Sequence, residues 1–240
     1  MRIASLIILW CAMLHSTYAQ LNNSSLTGAW ESKMGNNTVV MICTDKLFAA
    51  AVYQTSDHAF IGTCGGTFEI TDGRFVEVHE FNTMKPEFIG RKMETPVELK
   101  DGTLVFTEEA GAQVWNRIDN GKPGVLAGAW LITKRKQGNE MVAIKPGARR
   151  TMKILSGTKF QWIAYNVETK EFFGTGGGTY TAIGGKYVEQ IEFFSRDNSR
   201  VGASLTFDFE LSDGEWRHSG LSSKGDPIDE VWTKREKIEL

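Results

Sequence analysis

The sequence is short of proline, of cysteine and of charge of one sign. Its 240 residues include only 5 prolines and 3 cysteines, and 27 Lys+Arg oppose 29 Asp+Glu, for a formal net charge of −2. Polybasic runs are absent, so neither nucleic acid nor an anionic membrane surface is a predicted partner. The chain is rich instead in glycine (25), phenylalanine (14) and tryptophan (7), which favours many short strands with tight turns over long helices.

The long apolar stretch lies at the amino terminus. Met1 and Arg2 give a positive start, residues 3–14 are almost uninterruptedly apolar, and Ala19 is a small residue where a signal peptidase could cut. About a dozen apolar residues are too few to span a bilayer of roughly 30 Å as a helix. We therefore predict a signal peptide over residues 1–19, a secreted or periplasmic mature chain, and no membrane span.

Cleavage there leaves two cysteines, Cys43 and Cys64. An even count in an oxidising compartment invites a disulfide. If residues 39–54 and 59–70 form one hairpin, Cys43 faces Ile70 and the two cysteines are offset by roughly 20 Å along the strands, beyond the reach of a disulfide. We therefore favour two free thiols.

The second half of the chain repeats the first. Residues 26–30 (LTGAW) recur one hundred residues later as 126–130 (LAGAW), residues 62–68 recur as 174–180, residues 74–81 recur as 186–193, and the closing run 114–117 recurs as 231–235. Four matches in the same order predict two tandem units, 26–118 and 126–236. The segment between them, 119–125, has the composition of a turn and linker.

Within each unit the apolar residues recur with a period of two. Hairpin-turn dipeptides separate the apolar runs at Asp72-Gly73, Asp101-Gly102, Gly184-Gly185 and Asp213-Gly214. About one hundred residues of antiparallel meander can make roughly eight strands, enough to close a barrel and remove exposed edges. The predicted fold is therefore all-β, with two tandem up-and-down β-barrels; one larger barrel or sandwich built by both units is the alternative.

Each unit carries a Gly-x-Trp sequence at its first strand and a basic residue near its last strand. The pairs are Trp30 with Arg117, and Trp130 with Lys234 or Arg235. This pattern resembles the signature of lipocalins and the wider calycin group, and the resemblance implies that the tryptophan closes one barrel end and that the cation covers it. An indole covered by a cation would also be favourable by about 0.5 to 2 kcal/mol.

The second unit also resembles the secreted lipocalin-like proteins common in Bacteroidota. The likeness runs through residues 154–165, 174–193 and 213–234. The first unit is more divergent, with Cys64 where the second has Gly176.

Other site chemistries find little support in the sequence. The glycine-rich run 174–178 leads into a strand-like segment rather than a helix, so close backbone approach or a barrel bend explains it better than a phosphate loop. The histidines and cysteines lack the spacing of metal ligands, and no nucleophile elbow is present. We predict no metal, no cofactor and no catalytic residue.

Candidate ligand-binding residues lie on predicted strands of the second unit. They are aromatic residues that could line a lumen and polar residues that could anchor a ligand: Trp162, Tyr165, Tyr180, Glu189, Glu192, Trp216 and His218. Because side chains alternate along a strand, only one of Trp162 and Tyr165, and only one of Glu189 and Glu192, can face the lumen.

The function that the resemblance implies is binding of a small apolar or amphipathic molecule in a barrel, mainly the second. An isomerase or hydrolase of calycin type is the alternative, with Glu192 and His218 as acid and base. Carbohydrate or protein recognition by exposed tryptophans is a third possibility.

Overall fold

The computed structural model of the chain describes residues 21–240. The predicted signal peptide lies outside the described residues and stays a prediction. Within residues 21–240 no helix is both long and apolar enough to cross a membrane.

The first eight strands form a closed antiparallel barrel in chain order. They are β1 (Gly28–Met34), β2 (Asn37–Cys43), β3 (Leu47–Gln54), β4 (Phe60–Thr71), β5 (Arg74–Asn82), β6 (Lys92–Lys100), β7 (Thr103–Glu108) and β8 (Gly111–Arg117). β8 returns to β1, where Arg117 lies opposite Trp30. Closure therefore pairs backbone hydrogen-bonding groups of β1 and β8, which would otherwise be edge strands.

The remaining strands form a second barrel. They are β9 (Gly128–Gln137), β10 (Glu140–Ala143), β11 (Arg149–Leu155), β12 (Lys159–Asn166), β13 (Phe172–Ile183), β14 (Lys186–Phe194), β15 (Ser204–Ser212), β16 (Glu215–Leu221) and β17 (Pro227–Lys234). β9 pairs with both β11 and β17, which closes eight of these strands, and β10 adds a hairpin to the far end of β9.

Helical structure in the described part of the chain is limited to single turns. These are the α-helix α1 (Asn23–Leu26) and the 3-10 turns Pro86–Phe88, Asn198–Arg200 and Arg235–Lys237.

The prediction of two all-β barrels is confirmed, and the strand order excludes one larger barrel or sandwich. The turn dipeptides have the predicted role: in Asp72-Gly73 and Asp213-Gly214, for example, both residues have positive φ, between 51° and 77°. That geometry is the type I′ turn that joins twisted antiparallel strands. The division into domains at 26–118 and 126–236 stays a prediction.

Glycines in β4 and β13 allow the barrel walls to bend. A Cβ on Gly178 would lie 1.9 Å from the carbonyl oxygen of Gln190, and a Cβ on Gly66, its equivalent in the first barrel, would lie 2.0 Å from that of Val78. Both glycines sit at an irregularity in the strand pairing. The glycine-rich run therefore serves close backbone approach, as predicted.

The predicted hairpin of residues 39–54 with 59–70 is wrong. β2 ends at Cys43, a tight turn follows in which the Thr44 amide donates to the Leu47 carbonyl, and β3 then begins. Cys43 consequently lies opposite Phe48 rather than Ile70. The turn contains neither glycine nor proline, so Asp45 is the one typical turn residue that marks the break.

Both cysteines of residues 21–240 are nevertheless free. Cys64 is on β4 and Cys43 is on β2, and β3 lies between these strands. Two strand spacings amount to roughly 9 to 10 Å, and Cys64 lies opposite Ala50, two residues along β3 from Phe48, so the thiols are separated both across and along the sheet. Burial raises the pKa of the Cys64 thiol to about 12.

The barrels pack against each other through their outer walls. Apolar side chains of both barrels form one cluster: Ala29, Ile42, Leu47, Ala49 and Phe81 with Ala129, Leu131, Met152, Ile154, Ile163 and Tyr165. Polar contacts flank this cluster. The Gln161 amide donates to the Thr63 hydroxyl at 2.8 Å, and Tyr165 donates to Glu80 at 2.6 Å.

Candidate functional site

A tryptophan closes one end of the first barrel. The indole of Trp30 donates to the Leu26 carbonyl at 2.7 Å, and the Arg117 guanidinium lies 4.0 Å from its ring centroid. Arg117 also donates to the backbone oxygens of Ser25 and Thr27, at 2.8 and 2.7 Å. The guanidinium thus covers the indole and ties β8 to the chain entering β1.

The second barrel closes in the same way. Trp130 donates to the Leu126 carbonyl at 2.8 Å, and the Lys234 ammonium lies 4.5 Å from its ring centroid. Lys234 also donates to the Ala127 carbonyl. Arg235, the other candidate cation, contacts Glu80 of the first barrel instead. The described residues thus form two up-and-down antiparallel barrels in tandem, each closed at one end by a tryptophan under a cation.

The strand order and the closed ends carry this conclusion, because comparisons with known proteins add little. No family model matches the sequence, and no curated protein matches it. Among solved structures, a lipocalin-like protein from Bacteroides uniformis is 16% identical, with 46% of this chain and 99% of that chain covered, at a TM-score of 0.34. A TM-score this low carries no argument about function.

The interior of the second barrel holds a buried ion pair among aromatic rings. The Lys153 ammonium lies 2.8 Å from a Glu189 carboxylate oxygen, and both side chains are more than nine-tenths buried. The same ammonium lies 5.0 to 5.8 Å from the ring centroids of four aromatic residues: Tyr187, Phe207, Trp216 and Trp232. Such cation–ring contacts strengthen when water is excluded.

A histidine lies beside this pair. His218 is 1% exposed, and its Nε2 lies 3.1 Å from a carboxylate oxygen of Glu230. Burial, reinforced by the charge of Lys153, lowers the pKa of His218 well below its usual value, so the ring is neutral near pH 7. Because a carboxylate only accepts, the neutral ring must carry its proton on Nε2, which leaves the Nδ1 lone pair free.

Arg135 connects the histidine to the barrel surface. It donates to the other Glu230 oxygen at 2.8 and 3.0 Å, and about half of its side chain is exposed. Glu230 therefore has one oxygen facing His218 and one facing a surface cation. Such an arrangement fixes the orientation of the imidazole.

Three buried polar atoms in this lumen have no hydrogen-bond partner within residues 21–240. They are His218 Nδ1 and the indole nitrogens of Trp216 and Trp232, whereas the Tyr187 hydroxyl lies within reach of the Glu189 carboxylate. Buried polar groups in native proteins are nearly always paired, with protein, water or ligand. We call these residues together with Lys153, Glu189 and Glu230 the lumen cluster.

The first barrel lacks most of this polarity. Met41 lies opposite Trp30 where Lys153 lies opposite Trp130. The other changed positions, aligned by the repeat, are Phe75 for Tyr187, Leu104 for Trp216, Phe106 for His218 and Gln113 for Glu230. Glu189 does have a counterpart, Glu77, but that carboxylate bonds to His79 at 3.0 Å. The Trp115 indole nitrogen, at the position of Trp232, is also buried without a partner among residues 21–240, but the ion pair and the other unpaired groups belong to the second lumen.

Half-buried aromatic residues lead from the lumen cluster toward the open end. Trp162, Gly176 and Phe194 lie side by side on β12, β13 and β14, and the two rings are 5.6 Å apart. A Cβ on Gly176 would approach both rings to within 3 Å, so only glycine lets them meet. The first barrel has Ala50, Cys64 and Asn82 in this row.

Further half-buried apolar side chains pack around the same end: Ile144, Leu205 and Ile228. The second barrel therefore has polar groups deep in its lumen, in the lumen cluster, and apolar side chains at its open end, the mouth.

The structure separates the seven predicted ligand-binding residues into groups. Glu189, Trp216 and His218 belong to the lumen cluster, and Trp162 lies at the mouth. Tyr180 is buried in the same core, where its hydroxyl donates to the Ser156 carbonyl at 2.7 Å.

Tyr165 and Glu192 lie outside the lumen. Tyr165 is in the interface between the barrels. Glu192 accepts from Lys159 at 2.7 Å, beside the irregularity in the pairing of β13 with β14. The proposed acid and base, Glu192 and His218, therefore have different partners and are not brought together; Glu230 is the carboxylate that contacts His218.

Sequence reasoning missed Lys153, Tyr187, Glu230 and Trp232 as members of the site. A signal was present for Lys153, because the repeat aligns it with an apolar residue, Met41. A lysine at a core position of an otherwise matching repeat is unusual unless it is paired.

Two clefts lie on the surface, outside both lumens. One of about 630 Å³ lies where the closed ends meet and is lined by turns and the linker; another of about 340 Å³ lies on the outer wall near Lys134 and Arg217. Within residues 21–240 no group of three His, Cys, Asp or Glu side chains could hold a metal ion. Neither cleft contains the lumen cluster.

Proposed function

We propose that the chain is an exported binding protein that holds a small amphipathic molecule in its second barrel. The ligand's polar head contacts Lys153 and His218, and its apolar body lies at the mouth against Trp162 and Phe194. The observation that carries the proposal is the set of unpaired buried polar atoms around Lys153.

The energetics of the lumen cluster support a role beyond folding. Burying a charged pair costs solvation free energy that the attraction often only balances, and each unpaired polar group adds roughly 1 to 3 kcal/mol. The first barrel closes with Met41, Phe75 and Phe106 at equivalent positions, so the fold does not require these groups. A bound molecule with acceptor atoms would satisfy the two indole donors and approach the Lys153 ammonium, and a hydroxyl or amine group on it would donate to His218 Nδ1.

The mouth supports an amphipathic rather than a purely polar ligand. Small-molecule sites are mostly apolar, with a few convergent polar groups that fix orientation. The rings of Trp162 and Phe194 offer such a wall, and an eight-stranded barrel has room for one small ligand at most.

The first barrel has a supporting role in this proposal. Aromatic rings fill its lumen: Phe68 stacks on Phe75 at 4.9 Å, and Phe48 contacts both. Its outer wall covers the apolar face of β11 and β12, the strands that carry Lys153 and Trp162. The two units, 26–118 and 126–236, act as domains, and residues 1–19 direct export.

The test is a titration of the purified mature chain with amphipathic carboxylates, alcohols and amines, followed by tryptophan fluorescence. Saturable responses are expected, and they should be lost in the double variant Lys153→Met, Glu189→Gln, which removes both charges. Lys159→Met is the matched control, because it breaks the Lys159–Glu192 pair outside the lumen. Absence of a response in every ligand class, with only water in the lumen of a crystal structure, contradicts the proposal.

One observation favours the enzymatic alternative in a narrower form. His218 is neutral, is oriented by a carboxylate and has a free Nδ1 lone pair that can accept a proton, although its lowered pKa makes it a weaker base than an exposed histidine. No serine, threonine or cysteine belongs to the lumen cluster, so proton transfer in an isomerase fits better than nucleophilic hydrolysis. Deuterium uptake from D₂O into a carbon of the bound compound would support this alternative, and its loss in His218→Phe would assign the base; no uptake would exclude it.

A further inference from the structure

The Lys153 ammonium has more hydrogen-bond donors than the second lumen has acceptors for it. An ammonium carries three N–H donors. Among residues 21–240 its one hydrogen-bond acceptor is Glu189, at 2.8 Å, and four aromatic ring centroids lie 5.0 to 5.8 Å away. The lumen therefore suits a cation with a single N–H and flat apolar faces better than it suits an ammonium.

An iminium ion is a cation of that kind. It forms when a lysine amine condenses with an aldehyde or ketone, and it has one N–H and a planar C=N bond. Its N–H would donate to Glu189 as the ammonium does now. Because the nitrogen carries the same charge before and after condensation, the buried ion pair is preserved and no unpaired charge is left behind.

Lys153 also lies next to the apolar mouth. It is directly opposite Trp162 in the pairing of β11 with β12, so the two side chains share a face of the barrel wall. Trp162 and Phe194 are half-buried, with ring centroids 5.6 Å apart. A compound whose apolar body lies against these rings would therefore present its polar end toward Lys153.

We propose that Lys153 binds an apolar aldehyde covalently, as an iminium ion whose counter-ion is Glu189. The proposal rests on the proposed function and names the class of ligand for the same site. A conjugated aldehyde fits best, because its iminium spreads the positive charge over a flat system that aromatic rings stabilise. The first barrel has Met41 at the position of Lys153 and forms no such bond.

The condensation balances within the lumen. Glu189 takes one proton from the Lys153 ammonium, and the amine nitrogen then bonds to the carbonyl carbon while the C=O π pair moves to oxygen. A second N–H proton passes to that oxygen, and Glu189 returns the first proton so that the hydroxyl leaves as water. The products are the iminium, the Glu189 carboxylate and one water molecule.

The unpaired indoles of the lumen cluster suit the intermediate stage of this reaction. Negative charge develops on the carbonyl oxygen as the nitrogen attacks the carbon. The indole N–H groups of Trp216 and Trp232 have no acceptor among residues 21–240, and the centroids of these rings lie 5.1 and 5.3 Å from the Lys153 nitrogen. They supply buried donors for that oxygen.

The test treats the mature chain with 4-(dimethylamino)cinnamaldehyde, a coloured conjugated aldehyde. A protonated imine should absorb at longer wavelength than the free aldehyde. Cyanoborohydride then reduces the C=N bond to a stable amine, which peptide mass spectrometry locates. Labelling of Lys153 should exceed that of Lys159 by about tenfold or more, because binding holds the carbonyl beside one amine. Labelling of exposed lysines without Lys153 overturns the proposal.

Matched variants assign the bond. The double variant Lys153→Met, Glu189→Gln removes both charges, so the long-wavelength band should be lost. Lys159→Met breaks an ion pair outside the lumen and should keep the band. A band of equal strength in the double variant overturns the proposal. Peptide mapping of the wild type decides the same question if the double variant does not fold.

The pH dependence of the band tests the role of Glu189. The wild-type adduct should keep its long-wavelength band at pH values at which the imine of the same aldehyde with butylamine has lost its proton, because a nearby carboxylate favours the charged form. A wild-type adduct that loses its proton at the same pH as the butylamine imine overturns the assignment of Glu189 as counter-ion.

The corresponding alcohol, 4-(dimethylamino)cinnamyl alcohol, separates failure of this proposal from failure of the proposed function. It has the same apolar body as the aldehyde but forms no imine. If the alcohol binds saturably in calorimetry and the aldehyde leaves no reduced adduct on Lys153, the iminium is overturned and the proposed function stands. If neither compound nor any other class of amphipathic ligand binds, both fail. A reduced adduct on Lys153 supports both.

Discussion

Lys153 and Glu189 form an ion pair inside the second barrel, 2.8 Å apart, with side-chain exposures of 7% and 5%. Removal of one partner leaves the other charge buried and unpaired, which costs about 3 to 5 kcal/mol. Lys153→Met should therefore lower the free energy of unfolding by about that amount. Urea denaturation provides the measurement.

The same pair allows stability and binding to be separated. Lys153→Met with Glu189→Gln removes both charges, so most of the stability should return while the response to amphipathic carboxylates does not. If the double variant is as unstable as the single one, the second barrel needs these charges for its stability. That result would contradict the inference, drawn from the first barrel, that the fold does not require them.

His218 gives the unfolding free energy a dependence on pH. In the unfolded chain the imidazole takes up a proton near pH 6.5, whereas burial and the Lys153 charge lower its pKa in the folded chain. The unfolded state then binds more protons below about pH 6.5, so stability falls as the pH drops from there to about 5.

His218→Phe, which introduces the residue that the first barrel has at this position, should remove that slope. His58→Gln is the control, because it replaces a half-buried histidine outside the second lumen. Equal slopes in the wild type and His218→Phe, from urea midpoints at several pH values, would count against a buried neutral imidazole.

Glu80 joins the two barrels. Its carboxylate accepts from Tyr165 at 2.6 Å and contacts Arg150 at 3.0 Å and Arg235 at 2.8 Å. Burial alone would raise the pKa of Glu80, but the hydrogen bonds and charges of Arg235, Tyr165 and Arg150 together hold it below its ordinary value. Glu80→Gln leaves two guanidiniums without a counter-ion and should cost about 3 kcal/mol at pH 7.

Because the folded pKa of Glu80 is depressed, its contribution is complete above the ordinary value of 4.5 and is lost as the pH falls below it. The difference in unfolding free energy between wild type and Glu80→Gln should therefore shrink between pH 5 and pH 3. A constant difference across that range would show that the carboxylate charge is not what stabilises the contact.

The cations that cover the two closed ends differ in how many contacts they make. Arg117 makes two backbone hydrogen bonds and a ring contact, whereas Lys234 makes one hydrogen bond and a ring contact at a longer distance. Arg117→Ala should cost about 2 to 4 kcal/mol and Lys234→Ala less. Urea denaturation of the two alanine variants should show this order, and a reversed order would contradict the account of barrel closure.

The domain boundaries also lead to a prediction. A chain limited to residues 126–236 exposes Ile163, Met152 and Ile154, which the first barrel normally covers. We expect it to self-associate in size-exclusion chromatography and an Ile163→Lys variant to do so less. A monomeric isolated repeat without any substitution would show that the interface is dispensable.

Much of the fold could be predicted from the sequence because repeats and turn dipeptides act locally. Asp213-Gly214 specifies a hairpin wherever it occurs between apolar runs, and the recurrence of Trp30 as Trp130 specifies two units. The break after Cys43 could not be predicted, because the side-chain and backbone bonds of Thr44 make that turn without glycine or proline.

The site was less predictable because it depends on register. Alternation places Glu189 and Glu192 on opposite faces, but it does not say which faces inward; the cross-strand register decides that, because Glu189 lies opposite the buried Tyr180. The partner of His218 is Glu230 on β17, twelve residues away and set by the turn between β16 and β17. Contacts across strands of this kind follow from the closed barrel rather than from local pattern.

The most direct test of ligand binding in the second lumen observes the indole N–H groups by NMR during a titration with 11-(dansylamino)undecanoate, a fluorescent amphipathic carboxylate. The signals of Trp216 and Trp232, whose indole nitrogens have no partner among residues 21–240, should shift saturably. Those of Trp30 and Trp130, already bonded to Leu26 and Leu126, should stay in place and serve as internal controls. A shift of Trp115 in the first barrel alone, or of no indole at all, would contradict the assignment of the site to the second barrel.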